Sequence, residues 1–383
     1  MTSKILVRTV VLGAICLATC VPGSTRASAA PYASDTHREV IEVAIALDTS
    51  GSMKGLIDAA RLRLWAIVND LTLLEPTPKL RVALLTYGNS KNDAKTGWVR
   101  LETDLTEDLD LVSARLFELT SEGGTEYVGR VLQTALGELS WTSSNDALKL
   151  IFVAGNEAAD QDPQVSLQEM SALARREDVL VHAIFCGAEK HPQALTWKEL
   201  ADSVGSQFAT IDHRYGTVVV KSPFDEELAE LSAKINETYI PLGHDGRKRH
   251  ENQVLQDENA AELSPAAAAG RAQTKISPLY SADWDLVDAL AAGKVSLYEI
   301  DESELPATLR EMTPMEREVY VEEMTRKRAE IRARIAELTA QRQQHVGEQM
   351  KAKGLDDSRA FDAVVRRAIR EQVAERGLQS ADR

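Results

Sequence analysis

Residues 41–52 read IEVAIALDTSGS, and this stretch decides the fold. Val43 to Leu47 form an unbroken apolar run of strand length, which suits a central strand of a parallel sheet covered on both faces. The run ends abruptly in an acid and two hydroxyls at alternate positions: Asp48, Ser50 and Ser52. In open α/β sheets ligands bind in the crevice outside the carboxyl ends of the strands, so oxygen donors there mark a candidate site rather than packing.

Outward from this strand, residues 38–243 alternate apolar runs with helical periodicity, the pattern of an α/β domain with a parallel core. Strands are predicted at 40–48, 80–87, 98–102, 148–154, 179–186 and 207–211. Amphipathic helices are predicted at 55–74, 108–119, 126–140, 166–177, 196–204 and 224–239. No helix separates the second and third apolar runs, so one of that pair should lie antiparallel at an edge.

Upstream, Lys4 and Arg8 precede an apolar stretch from Thr9 to Val21, and Ala27-Ser28-Ala29 follows as a small-residue cleavage pattern. Residues 1–29 therefore read as an export signal of bacterial type, too short and wrongly flanked to span a membrane. A lipid anchor at Cys20 is disfavoured because Thr19 stands where such motifs take a smaller residue. Removing Lys4, Arg8 and Arg26 from the 44 basic side chains, with 59 acidic ones kept, takes the formal charge from −15 to −18. That balance excludes a basic footprint for nucleic acid and favours cationic ligands. Cys16 and Cys20 lie in the signal and leave Cys186 alone, so no internal disulfide is expected.

Downstream, residues 244–275 carry HDGRKRHENQ and SPAAAAGRAQ with few bulky apolar side chains, which predicts a linker of low order. Residues 276–376 then read as a helical region. Leu279-Tyr280 and Trp284 to Val287 predict a short docking helix. Thr313-Pro314-Met315-Glu316 is a capping-box start for a Glu- and Arg-rich helix, with a narrow seam of Ile331, Ile335 and Leu338. The seam is too short to assert a coiled coil, so the expectation is a solvated helix packing one stripe on a neighbour; a second amphipathic helix at 357–376 is a candidate for that neighbour, giving a charged helical hairpin, and these C-terminal helices are the candidate contact for a homo-oligomer.

The chemistry-bearing residues sit on two loops. Asp48-Thr49-Ser50-Gly51-Ser52 offers three hard oxygen donors on one tight turn, suited to Mg²⁺ (or Mn²⁺) with several coordination positions left to water or to another molecule. Glu122-Gly123-Gly124-Thr125 offers a further hydroxyl, with glycines that permit close backbone approach.

DTSGS at 48–52, GGT at 123–125 and the strand LKLIFVAG at 148–155 together resemble a von Willebrand factor type A (VWA) domain with its metal ion-dependent adhesion site. The resemblance covers roughly residues 40–240. It implies a Rossmann-like, mostly parallel six-stranded sheet wrapped by helices, and Mg²⁺ or Mn²⁺ held by Ser50, Ser52 and Thr125 with Asp48 in direct or water-mediated contact. It also implies an open position filled by a carboxylate of a partner protein. One departure stands out: the family ends the fourth strand in Thr-Asp-Gly, whereas here the sequence is Ala154-Gly155-Asn156-Glu157, so Gly155 occupies the acidic position. Asn156 or Glu157 is the expected substitute.

Other residues read as structural. His182 and Cys186 belong to an apolar strand, Trp197 to a packing helix, and Asp212 with His213 lacks a nucleophile; the glycosylation pattern at Asn236 falls in a helix. The leading expectation is an exported, non-enzymatic binding module that engages an acidic partner through its cation. The alternative is an envelope scaffold with a silent site, assembling through its charged helices.

Overall fold

The computed structural model describes residues 40–143, 147–211, 220–280, 282–355, 358, 360–375 and 379–380, all within the unit Arg38–Arg383. Residues 1–29, where an export signal is expected, and Asp212-His213 lie outside the described residues.

Eight strands, β1 (Val40–Asp48), β2 (Leu74–Glu75), β3 (Lys79–Tyr87), β4 (Arg100–Thr106), β5 (Leu148–Gly155), β6 (Val179–Phe185), β7 (Phe208–Thr210) and β8 (Gln379–Ser380), form two sheets. The larger has the order β4-β3-β1-β5-β6-β7, parallel throughout except for β4, which runs antiparallel to β3 at the edge. β2 and β8 make a separate antiparallel pair. β1 is central, with Ile45 beside Leu84 on one flank and Phe152 on the other.

Six helices follow the strands of the larger sheet: α1 (Lys54–Leu71), α2 (Leu109–Glu118), α3 (Val128–Glu138), α4 (Leu167–Arg176), α5 (Ala194–Val204) and α6 (Asp225–Asn236). The period-two alternation of β1 divides its side chains between two cores. Ile41, Val43, Ile45 and Leu47 join the α1 and α2 side, while Ala44 and Ala46 face the cluster built by α3, α4 and α5. Small residues on that second face let the helices approach closely. The chain leaves β1 toward β3 on one side and returns to β5 on the other, so the carboxyl ends of β1 and β5 border the point where the strand order reverses.

The predicted linker is instead two helices, α7 (Gly243–Leu263) and α8 (Pro265–Lys275). Sparse bulky side chains suggested low order, but alanine is the best helix former, and Ser264 caps α8 by accepting from the Ala267 N–H at 3.1 Å. The burial is polar. Arg271, fully buried, donates to Asp257 at 2.7 Å and to Asp110 of α2, and lies 4.6 Å from the Trp65 ring of α1. Lys275, also fully buried, donates to Asp257 and to the Ser232 carbonyl, both at 2.7 Å. The Asn236 side chain joins this network, donating to Asp257 at 2.6 Å.

Beyond α8 come α9 (Leu286–Ala291), α10 (Ala307–Arg310), α11 (Pro314–Lys353) and α12 (Phe361–Glu375). α11 opens with the expected capping box and runs 40 residues to Gly354 in the left-handed conformation. Its seam of Ile331, Ile335 and Leu338 packs on Leu228 and Ile235 of α6 and on Ala269 and Ala272 of α8, not on α12. Its Arg328, 2% exposed, donates to Asp285 at 2.7 Å and to Asp288 at 2.8 Å, and sits 4.1 Å from the Tyr239 ring. The expected hairpin is therefore not formed. α12 instead covers α1: Phe361, Val364, Val365, Ile369 and Val373 join the same core as Leu64 and Val68, and Arg370 pairs with Asp70. The α11 seam is already occupied by α6 and α8, while α1 presents Leu64 and Val68 to α12. No helix among the described residues is long and apolar enough to cross a membrane.

Candidate metal centre

The β1 strand delivers Asp48, fully buried, to the sheet's carboxyl rim. The chain then turns because the Asp48 Oδ1 accepts the Ser50 N–H at 2.8 Å, which aims the side chains of residues 50 and 52 the same way. The Ser50 and Ser52 hydroxyl oxygens lie 3.4 Å apart. Adjacent ligands of an octahedral Mg²⁺ stand about 3 Å apart, so this pair suits two positions of one small hard cation.

The second loop is joined to the first by backbone. The Glu122 N–H donates to the Thr49 carbonyl at 3.1 Å, while the Asn89 side chain donates to the Thr120 carbonyl at 2.7 Å and to that of Thr49 at 3.4 Å. Gly124 must be glycine: a Cβ there would stand within 3 Å of the Gly88 carbonyl group. Thr125, half-buried, follows directly on this loop. The next residue, Glu126, is 7% exposed, and a Cβ on Gly88 would stand between its Cγ, at 2.9 Å, and Asp48 Oδ1, at 3.0 Å.

At the end of β5, a Cβ on Gly155 would overlap the Tyr87 hydroxyl and come 3.2 Å from Asp48 Oδ2. That hydroxyl donates to the Ala154 carbonyl at 2.9 Å. Asn156 reaches the first loop, its Nδ2 donating to the Ser52 hydroxyl at 3.0 Å. Glu157 is braced through its backbone, whose carbonyl accepts from the Trp197 indole at 2.6 Å. Its carboxylate accepts from Gln161 at 3.3 Å.

The electrostatics are those of an anionic pocket. Burial pushes the Asp48 carboxyl up to about 7, against the pull of its Ser50 hydrogen bonds, and Glu126 adds repulsion. Burial and then the Glu157 charge raise the Glu126 carboxyl as well. Asp48 Oδ2 is buried with no hydrogen-bond partner among the described residues. A buried carboxylate on the same turn as two neutral hydroxyls is a donor set that fits a hard divalent cation. No three His, Cys, Asp or Glu side chains among the described residues are grouped to hold an ion, so a cation here must draw on serine oxygens.

The structure thus brings Asp48, Ser50 and Ser52 together with Asn156, and places Thr125 and Glu157 on the two adjoining loops. The sequence reading missed Glu126, which resembles any first-turn helix acid, and Tyr87, whose apolar strand gives no sign that its hydroxyl fills the rim. His182 is a core residue: it stacks on Phe152 at 4.8 Å, its Nδ1 is 3.0 Å from the Ser206 hydroxyl, and burial lowers it to about 4. Cys186 is buried, and burial raises its thiol well above the usual range.

The family model of the von Willebrand factor type A domain matches residues 42–221. Among solved structures, proximal thread matrix protein 1 from the mussel byssus, in a form with a zinc-occupied MIDAS motif, is 17% identical with a TM-score of 0.34. That match covers 45% of this chain and 42% of the mussel chain. The SpRpn10 VWA domain is 15% identical, TM-score 0.34, over 48% of this chain and 100% of that one. A von Willebrand factor type A protein from Catenulispora acidiphila is 14% identical, TM-score 0.35, over 57% and 43%. The chain thus spans less than half the length of the mussel and Catenulispora chains. No curated protein matches the sequence.

Proposed function

We propose that the von Willebrand factor type A domain formed by residues 42–221 is a binding module that engages an acidic partner protein through Mg²⁺ or Mn²⁺ at the β1 rim. The observation that carries this reading is the buried Asp48 carboxylate, whose Oδ2 has no hydrogen-bond partner among the described residues, on the same turn as the Ser50 and Ser52 hydroxyls 3.4 Å apart. Asp48, Ser50, Ser52 and Thr125 would hold the ion, with Glu157 on the adjoining loop. When bound, the cation supplies a positive point on a surface whose own negative charge would otherwise repel a carboxylate ligand. The protein's part is positional. The Ser50 N–H fixes the Asp48 carboxylate, Asn156 orients the Ser52 hydroxyl, and Gly124 lets the Thr125 loop close on the rim. Residues 1–29 support an exported location.

Calorimetric titration of MgCl₂ and MnCl₂ into the full chain tests this, with Ser50→Ala as control. Binding heat in the wild type and none in the variant is the expected result. Silence in both transfers the function to the scaffold reading, which draws on the filled Gly155 position and on the apolar Met315 and Val319, 75% and 60% exposed near the start of α11. Self-association lost on Met315→Lys and Val319→Lys would then identify that surface.

A further inference from the structure

Glu126 is the one buried carboxylate at the rim that no sequence motif assigns. It comes from the loop opposite β5, directly after Thr125, and reaches inward across Gly88. Gly88 has a φ of +75°, and a Cβ added there would stand 2.9 Å from Glu126 Cγ and 3.0 Å from Asp48 Oδ1. The space a side chain would take at residue 88 is thus the space that admits Glu126 beside Asp48. An apolar side chain would fill this gap without bringing charge into a 7%-exposed position next to a second acid.

Independently of this cluster, Asp48 is fully buried and its Oδ2 lacks a hydrogen-bond partner among the described residues; that oxygen faces the end of β5, where Gly155 brings no carboxylate. The rim therefore keeps an unsatisfied acceptor where one acid is missing and gains another acid from the opposite loop.

We propose that Glu126 supplies the second carboxylate of the cation site, replacing from the Thr125 loop the acid absent at residue 155. This rests on the reading that the rim holds a divalent cation. Two carboxylates, Asp48 and Glu126, then balance the ion's charge, and the serine hydroxyls complete the protein's share of its oxygen shell. Glu126 stands next to Asp48 across Gly88 and is 7% exposed, so its charge acts at short range in a poorly hydrated site.

The test is calorimetric titration of Mn²⁺ into the full-length wild type, Ser50→Ala and Glu126→Gln, with thermal melts of each in chelator and in saturating Mn²⁺. The expected result is Mn²⁺ binding at least tenfold weaker in Glu126→Gln, with a smaller rise in Tm on adding the ion. In chelator the same variant should melt at or above the wild-type temperature, because one of two adjacent acids is gone. Wild-type binding that Ser50→Ala abolishes but Glu126→Gln leaves unchanged overturns the role of Glu126 and spares the cation reading. No binding by the wild type overturns both. Should Glu126→Gln melt lower in chelator, Glu126→Asp decides: it keeps the charge but withdraws it by one methylene, and unchanged Mn²⁺ affinity overturns the proposal.

Discussion

The Tyr87 hydroxyl occupies the space that a side chain on Gly155 would need, so the loss of an acid at the end of β5 and the presence of a tyrosine at the end of β3 are one structural fact. The ring is fully buried and its hydroxyl is committed to the Ala154 carbonyl at 2.9 Å, so it has no easy retreat. Placing an acid at residue 155 is therefore not a local change.

Gly155→Asp alone should destabilise the fold by about 1–3 kcal/mol through overpacking against Tyr87 and Trp197. Adding Tyr87→Phe, which removes the obstructing oxygen, should recover part of that loss. Urea denaturation of the two variants and the wild type measures it; a double variant no more stable than the single one contradicts the steric account.

The pH dependence of stability without metal should carry the mark of Asp48. Its folded carboxyl titrates near 7 against an ordinary 3.8, so between about pH 4 and 7 the native state holds a proton that the unfolded chain has released. Stability from this group therefore falls as pH rises through that window. His182, lowered to about 4 from 6.5, works the other way: the unfolded chain binds the extra proton, and stability rises with pH over about 4 to 6.5. The two partly cancel in the wild type. Asp48→Asn removes one of them, so its stability relative to wild type in chelator should grow by on the order of a few kcal/mol from pH 4 to 7. A pH-independent difference between the two melts would exclude it.

Asp257→Ala should cost about 3–5 kcal/mol, because it strips a shared partner from two cations with no solvent access, Arg271 and Lys275. Burial alone would raise the Asp257 carboxyl; Lys275 and Arg271 outweigh it and hold it below its ordinary value. Chemical denaturation gives the number, and a cost below about 1 kcal/mol would mean that the network contributes little to docking α8.

Ile369→Ala should cost about 2–5 kcal/mol although it lies some three hundred residues from the strand it helps to cover. Its side chain is 1% exposed in the core shared with α1. An unchanged melting temperature would show that α12 is not part of the domain's core.

The sheet was legible because its information is local. A five-residue apolar run from Val43 to Leu47 admits few alternatives, and the absence of a helix between β3 and β4 announced the antiparallel edge. The DTSGS loop was legible for the same reason, since Asp48 and Ser50 organise the turn between themselves. What stayed hidden depends on partners distant in sequence. Asn69 of α1 donates to the Gly270 carbonyl of α8 at 2.9 Å, and Gln256 of α7 accepts from Ser113 of α2 at 2.9 Å; such polar burial leaves no periodic apolar mark. The choice of α12 between two neighbours is likewise a comparison of surfaces that no single helix encodes. Glu126 was missed because its value comes from the bare backbone at Gly88, in a different loop.

The position of α12 also sets an order of events during synthesis. α1 begins six residues after Asp48, yet among the described residues the stripe around Leu64 and Val68 is packed with side chains between Phe361 and Val373, while Trp65 and Asn69 meet α8. A nascent chain must therefore carry the Leu64 and Val68 stripe uncovered until nearly all of these residues have emerged, and closing so long a loop is slow. Ribosome-bound or prematurely terminated forms should be the sticky ones, and a holdase that shields α1 would be needed most before the final helix arrives.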